Sequence, residues 1–340
     1  MGELPAFTPV NLLTGFLGSG KTTLLKRMLA APALADAAVL INEFGEVGLD
    51  HHLVERIDET MVLLPSGCLC CAVRSELAEA IRDLHSRRER GLVPPFRRVI
   101  VESTGLADPF PVLSTIKADP VLRHHFVPGT VITTVDAINA GAELDDYVES
   151  NRQVAVADHL VVTKVDLAGE GEVARLTQRL RGLNPDAVLS IADERLDVAQ
   201  LVADNSATRA GTALSQSGFF CEEPPGLPER SAGRHSAGIS SFSITVDKPI
   251  DWTAFGVWLT MLLNRHGERV LRVKGILGIA GEARPVAIHS VQRLVHMPQH
   301  LESWPSEDRR SHVVFIVDGL DPELVKRSLH AFAVETGTAN

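Results

Sequence analysis

The run Gly15-Phe16-Leu17-Gly18-Ser19-Gly20-Lys21-Thr22 has the residue types and spacing of a loop that holds phosphate. Its glycines let the backbone curl until successive N–H groups point inward at anionic oxygens, beside the positive end of a following helix. Gly15, Gly18, Ser19 and Gly20 form that cradle, and Thr23 follows at the start of the helix. Lys21 is placed to reach the β- and γ-phosphates of a nucleoside triphosphate, and the Thr22 hydroxyl to ligate Mg²⁺.

A second group on the metal side should end another buried strand. The run Arg98–Val101, apolar after its first residue, leads into Glu102-Ser103-Thr104-Gly105. Glu102 there can hold Mg²⁺ directly or through water, and the Gly105 N–H can face the γ-phosphate. Lys21 and Glu102 are therefore the candidate catalytic residues. Base choice is assigned to Thr163-Lys164-Val165-Asp166, again after a Val/Leu-rich run. The Asp166 carboxylate can accept from guanine N1–H and the 2-amino group, a donor pair that adenine lacks. The Lys164 stem would cover the base, with Thr163 starting the segment. Asp136 and Asp186 are weaker base-reading candidates.

Three of the four cysteines, Cys68, Cys70 and Cys71, fall within four residues, ahead of a helical stretch. So tight a cluster cannot staple distant segments, and thiolates at a helix start have lowered pKa. Soft sulfur ligands select Zn²⁺ or related transition metals over Mg²⁺ or Ca²⁺, which gives a candidate metal site. Structural thiols or a redox switch are the other readings of the cluster. Cys221 stands apart from it.

These groups need a scaffold. The runs Val10–Leu13, Ala38–Asn42, Met61–Leu64, Arg98–Glu102, Thr130–Val135, His159–Thr163 and Val188–Ile191 read as strands, several of them continuously apolar. Helical stretches Lys21–Ala31, Arg74–Arg88, Asn151–Ala157 and Gly171–Leu183 lie between them. This alternation predicts an α/β fold, a doubly wound, mostly parallel sheet over residues 1–203. Residues 204–238 are rich in Ser, Gly, Ala and Pro and read as a flexible linker. Beyond them, strands near Ile239–Val246, Val270–Ile279, Pro285–Val291 and His312–Val317, with helices Trp252–Asn264 and Asp321–Ala333, predict a smaller α+β domain over 239–340. The 340 residues suit two domains, and a net charge of −10 without a basic block argues against nucleic acid. With no apolar run near membrane length and no leader pattern, the expectation is a cytoplasmic protein.

In their order, Gly15–Thr22, Ile41-Asn42-Glu43-Phe44-Gly45-Glu46, Gly67–Cys71, Glu102–Gly105, Thr163–Asp166 and Arg272-Val273-Lys274-Gly275 resemble the CobW-like GTPases, relatives of the HypB and UreG metal-insertion GTPases. The resemblance spans nearly the whole chain. It implies Mg²⁺–GTP binding, slow GTP hydrolysis and delivery of zinc, cobalt or iron to a client metalloprotein; a homodimer that depends on GTP or metal is a further expectation. It also implies that residues 42–50 form a switch in which Glu43, Glu46 and Asp50 approach a metal ion, with His51-His52 following. The family's long His-rich stretch is missing here, since the linker holds only His235. Two other function classes stay open at this level: an ATP-using kinase with structural cysteines, and a nucleotide-regulated zinc reservoir or redox sensor.

Overall fold

The computed structural model describes residues 7–41, 61–63, 72–203 and 238–334. Seven strands, β1 (Thr8–Gly15), β2 (Ala37–Ile41), β3 (Met61–Leu63), β4 (Arg98–Glu102), β5 (Phe126–Asp136), β6 (His159–Thr163) and β7 (Val188–Ile191), form one sheet in the order β3-β2-β4-β1-β5-β6-β7. Every pairing in it is parallel. All seven are strands expected from their apolar runs. Parallel neighbours need crossovers, and the helices supply them: α1 (Lys21–Ala30), α2 (Ala72–Glu89), α3 (Pro109–Ala118), α4 (Leu122–His125), α5 (Ala140–Asp146), α6 (Val148–Val156) and α7 (Glu170–Leu183).

Alternation along the strands divides their side chains between the two sheet faces. Leu13, Val39, Ile41, Ile100, Ile132 and Val161 cluster with Leu24, Leu25 and Met28 of α1 on one face. Leu12, Leu40, Val99 and Val101 point the other way and are also buried, while α3 packs on β1 and β5. Both faces are covered, which is why the strands lack a polar alternation.

The strand β5 begins before the expected Thr130. Pro128 and Gly129 sit in it at a register shift opposite Val10 and Leu12. Buried Asn11 fills this irregularity, accepting from Thr130 N at 3.0 Å and donating to Val99 O at 3.3 Å. Helix α3 was not among the expected helical stretches, and its sequence carries Pro109 and Pro111. They stand in its first turn, where proline is tolerated, and the Asp108 side chain caps it by accepting from Phe110 N at 2.9 Å.

The second sheet is antiparallel, built from β8 (Ile239–Val246), β9 (Val270–Leu277), β10 (Val286–Val291), β11 (Leu294–Val295), β12 (Gln299–His300) and β13 (Ser311–Asp318). Its order is β11-β10-β9-β13-β8, with β12 beside β10. Phe255, Trp258, Leu259 and Leu263 of α8 (Trp252–His266) and Val325 and Leu329 of α9 (Pro322–Leu329) bury against Val273, Val313 and Phe315 of the sheet. Trp258 Nε1 donates to Ser328 Oγ at 3.0 Å, joining the two helices. The chain divides into two compact units, Met1–Glu143 with Arg152–Leu176 and Val188–Asp204, and Leu144–Asn151 with Thr177–Ala187 and Asn205–Asn340.

Candidate functional site

The predicted phosphate loop connects β1 to α1 at the carboxyl edge of the parallel sheet, where open α/β sheets bind ligands. Gly15, Gly18 and Gly20 have φ of 140°, 71° and 92°, so the loop needs residues without Cβ. A Cβ on Gly15 would collide with Thr134 and with the Ser19 hydroxyl. No acidic residue stands in the first turn of α1 and no side chain caps Gly20, so the positive helix end is left to an anion. Lys21 Nζ donates to Gly15 O and Phe16 O, both at 2.9 Å. Ser19 is buried and its hydroxyl meets Thr134 Oγ1 at 2.7 Å, while Thr23 is exposed.

Glu102 ends β4 beside this loop and is 5% exposed. Thr22 Oγ1 donates to Glu102 Oε1 at 2.9 Å, so two residues assigned to Mg²⁺ on separate grounds meet. They offer hard oxygen donors, the chemistry Mg²⁺ selects, and the donor set fits that ion. Gly105 lies against the loop, and a Cβ on it would come within 2.6 Å of Leu17 N.

Two residues on α6 hold the segment after Glu102. Gln153 is 1% exposed and its Nε2 donates to Gly105 O at 3.0 Å and Ala107 O at 3.1 Å. Arg152 pairs with Asp108 at 3.2 Å. Sequence reasoning missed both, because a glutamine within a helix carries no spacing signal of its own.

The end of β6 completes the arrangement. Thr163 Oγ1 donates to Ser19 O at 2.8 Å and reaches Val135 O at 3.3 Å, tying this strand to the phosphate loop. Lys164 takes a left-handed φ of 56°, and its Nζ meets Asp136 Oδ2 at 2.7 Å. Asp166 is exposed two residues on. Asp136, 1% exposed, also accepts from Ile138 N and Asn139 Nδ2, each at 2.8 Å. Burial pushes its carboxyl up, but the Lys164 hydrogen bond, the other two donors and the lysine charge outweigh this and hold it below the ordinary value. Glu143 moves the other way, pushed up to about 6 by burial and then by the Asp136 charge, against Lys164 and Lys21. Asp136, one of the two weaker base-reading candidates, is thus engaged by protein donors, and Asp186, the other, is buried.

Cys68, Cys70, Cys71, Glu43, Glu46, Asp50 and His51-His52 lie outside the described residues, as does the 204–238 linker up to residue 237. Among the described residues no group of three or more His, Cys, Asp or Glu side chains could hold a metal ion, and no helix is long and apolar enough to cross a membrane. His289 and His296 stack with ring centroids 4.3 Å apart, and His125 packs on His85.

Comparison with known proteins agrees with this arrangement. Residues 9–190 match the CobW/HypB/UreG nucleotide-binding domain, and residues 239–333 match the cobalamin synthesis protein CobW C-terminal domain. The chain is 33% identical to the zinc chaperone YjiA of Escherichia coli, over 93% of this chain and 96% of that one. It is 28% identical to the zinc chaperone CobW of Pseudomonas aeruginosa, over 94% and 90%. The crystal structure of the Zn(II)-bound YjiA GTPase from E. coli matches with a TM-score of 0.70 at 29% identity, covering 96% of this chain and 99% of that chain. Loop, acidic strand end, the strand leading into Thr163–Asp166 and the second sheet occur together and in order, and the chain belongs to the CobW/HypB/UreG family of P-loop GTPases.

Proposed function

We propose that this chain is a GTP-dependent metallochaperone that binds zinc, with cobalt or iron as alternatives, through Cys68, Cys70 and Cys71 and releases it to a client metalloprotein. The observation that carries the nucleotide half is the Thr22–Glu102 contact at the phosphate loop. The zinc half is supported by the cysteine spacing and by relatives that are zinc chaperones.

In this reading Gly15, Gly18, Ser19 and Gly20 present N–H groups to the phosphates, with Thr23 beside them. Lys21 moves its ammonium from the loop carbonyls to the β/γ-phosphate oxygens. Thr22 and Glu102 hold Mg²⁺, which when bound neutralises charge on those oxygens. Gly105 N–H faces the γ-phosphate, with Gln153 fixing its carbonyl. Thr163, Lys164 and Asp166 select guanine. Glu43 and Asp50 join the metal side when GTP orders residues 42–50.

Loss of the γ-phosphate frees Gly105 and the switch, and the cysteine site loosens. Swinging zinc occupancy from nearly full to nearly empty needs about 5.5 kcal/mol of differential binding. Ordinary allosteric coupling of ~1–3 kcal/mol falls short. Loss of a thiolate ligand can supply the rest, because structural zinc sites are worth roughly 10–16 kcal/mol. Residues 1–203 form the GTPase domain, 204–238 the linker and 239–340 a domain that docks the client, in a cytoplasmic protein that pairs as a homodimer with GTP or metal.

Hydrolysis tests the reading. With Mg²⁺ the purified chain releases phosphate slowly from GTP and not from ATP, and Lys21→Ala abolishes it. Equal use of ATP overturns the guanine assignment and favours the kinase-type alternative.

A further inference from the structure

The strand ends β5 and β6 are joined by a half-buried ion pair whose position bears on base selection. Asp136 and Thr163 are register partners at the last residue of each strand. Ala137 N donates to Thr163 O at 3.0 Å, so the chain leaving β5 is fastened to the chain leaving β6. From the next residue, Lys164, the ammonium reaches back to Asp136 at 2.7 Å. Asp136 is 1% exposed and the Lys164 side chain 36% exposed, so the aspartate is fixed inside and the lysine stem extends toward solvent.

Asp136 does not read a base itself. Its Oδ1 is taken by Ile138 N, and its Oδ2 by Asn139 Nδ2 and Lys164 Nζ. Its action passes through Lys164. A φ of 56° is uncommon for a residue with a Cβ, and such a conformation persists where the surroundings over-determine it. Here the Thr163 hydroxyl holds the preceding residue to the phosphate loop, Leu167 N donates to Lys164 O at 3.1 Å on the far side, and Asp136 holds the side-chain tip. With the ammonium drawn to Asp136, four methylenes are left to form an apolar surface, as lysine stems do when the charge is directed elsewhere.

We propose that Asp136 is the positioning residue for base specificity: it pins Lys164 so that the lysine stem forms one wall of the base slot and Asp166 is held at its end. This rests on the reading of Thr163–Asp166 as the guanine-selecting segment. A purine that offers a donor pair to Asp166 is recognised only while that wall keeps it in plane. The ionised state of Asp136 is consistent with this, since its carboxyl is held below the ordinary value by the Lys164 and backbone donors despite burial.

The experiment is calorimetric titration of the full chain with GDP and with ADP, together with a melting temperature for each variant. Asp136→Asn keeps the size and an oxygen for Ile138 N but removes the charge. It should weaken GDP binding about tenfold, the loss of one charge-assisted hydrogen bond, and leave ADP binding as in the parent. Lys164→Met keeps a similar stem with nothing to tie its tip, and should lose GDP affinity to the same degree. The double variant should lose no more than either single one, as for two residues that act as a unit. Retention of the parent's GDP-over-ADP preference by Asp136→Asn overturns the proposal, as do losses that multiply in the double variant. A parent protein with no preference for GDP overturns the guanine reading itself, and the proposal with it. Should Asp136→Asn not fold, Lys164→Met alone decides, since it alters a partly exposed side chain, and an unchanged preference there overturns the proposal equally.

Discussion

The Thr22 hydroxyl donates to Glu102 at 2.9 Å, joining the last residue of the phosphate loop to the last residue of β4. The contact follows from topology, because β4 is the parallel neighbour of β1 in register Leu13↔Glu102. Both side chains therefore emerge at the same edge of the sheet. Glu102→Gln preserves that hydrogen bond but removes the charge. Mg²⁺ affinity, read by titrating the nucleotide-bound protein, should fall roughly 10–100-fold, with Mg²⁺-free nucleotide binding kept. An unchanged Mg²⁺ requirement would remove Glu102 from the site.

Thr163 predicts a coupled effect on folding and binding. Its hydroxyl joins β6 to the phosphate loop through Ser19 O and also reaches Val135 O. Thr163→Val keeps the shape and leaves Ser19 O without that donor, at a cost of about 1–3 kcal/mol. The melting temperature should drop several degrees and nucleotide affinity should fall with it. A variant as stable as the parent would show that this bond contributes nothing.

Gln153 predicts a split between hydrolysis and binding. Gln153→Met leaves Gly105 O and Ala107 O without their side-chain donor. Turnover of GTP should slow at least about tenfold, the value of one hydrogen bond lost in the reacting complex, while GDP affinity stays. Equal losses in both would mean that Gln153 supports the fold without positioning the loop.

Glu143 gives a pH signature. Its folded-state value of about 6 lies above the ordinary 4.5, chiefly through burial. The folded chain therefore binds this proton more tightly, and the stabilisation it brings is complete below 4.5 and lost as pH rises through 6. Above that, the parent keeps a charge in a partly buried place. Glu143→Gln should melt higher than the parent near neutral pH and no differently below 4.5. The same difference at both ends of the range would exclude this titration.

Much of this was legible in the residues. The strands of the first sheet announced themselves because burial on both faces leaves unbroken apolar runs such as Val99–Val101. Lys21, Thr22, Glu102 and Gly105 stood out as candidates because each sits at a fixed offset from a strand end. What stayed hidden depends on tertiary contact. Asp136 read as a weak base ligand, since nothing in the chain shows that Lys164, just past the end of the neighbouring strand β6, turns back onto it. Gln153 was silent for the same reason. Helix α3 was not read from the sequence, and its two prolines take ordinary first-turn positions behind the Asp108 cap. Strands β11 and β12 span two residues each, too short for any periodicity to register.

The central claim, that nucleotide controls zinc, is tested most directly by a competition titration. Zn²⁺ is titrated against a chromophoric chelator with the full chain bound to Mg²⁺ and a non-hydrolysable GTP analogue, to Mg²⁺ and GDP, or to neither. The account predicts tighter zinc binding with the triphosphate than with GDP, by up to about 10⁴-fold for a complete switch, and loss of that difference in Cys70→Ser. Equal zinc affinity in all three conditions would contradict it.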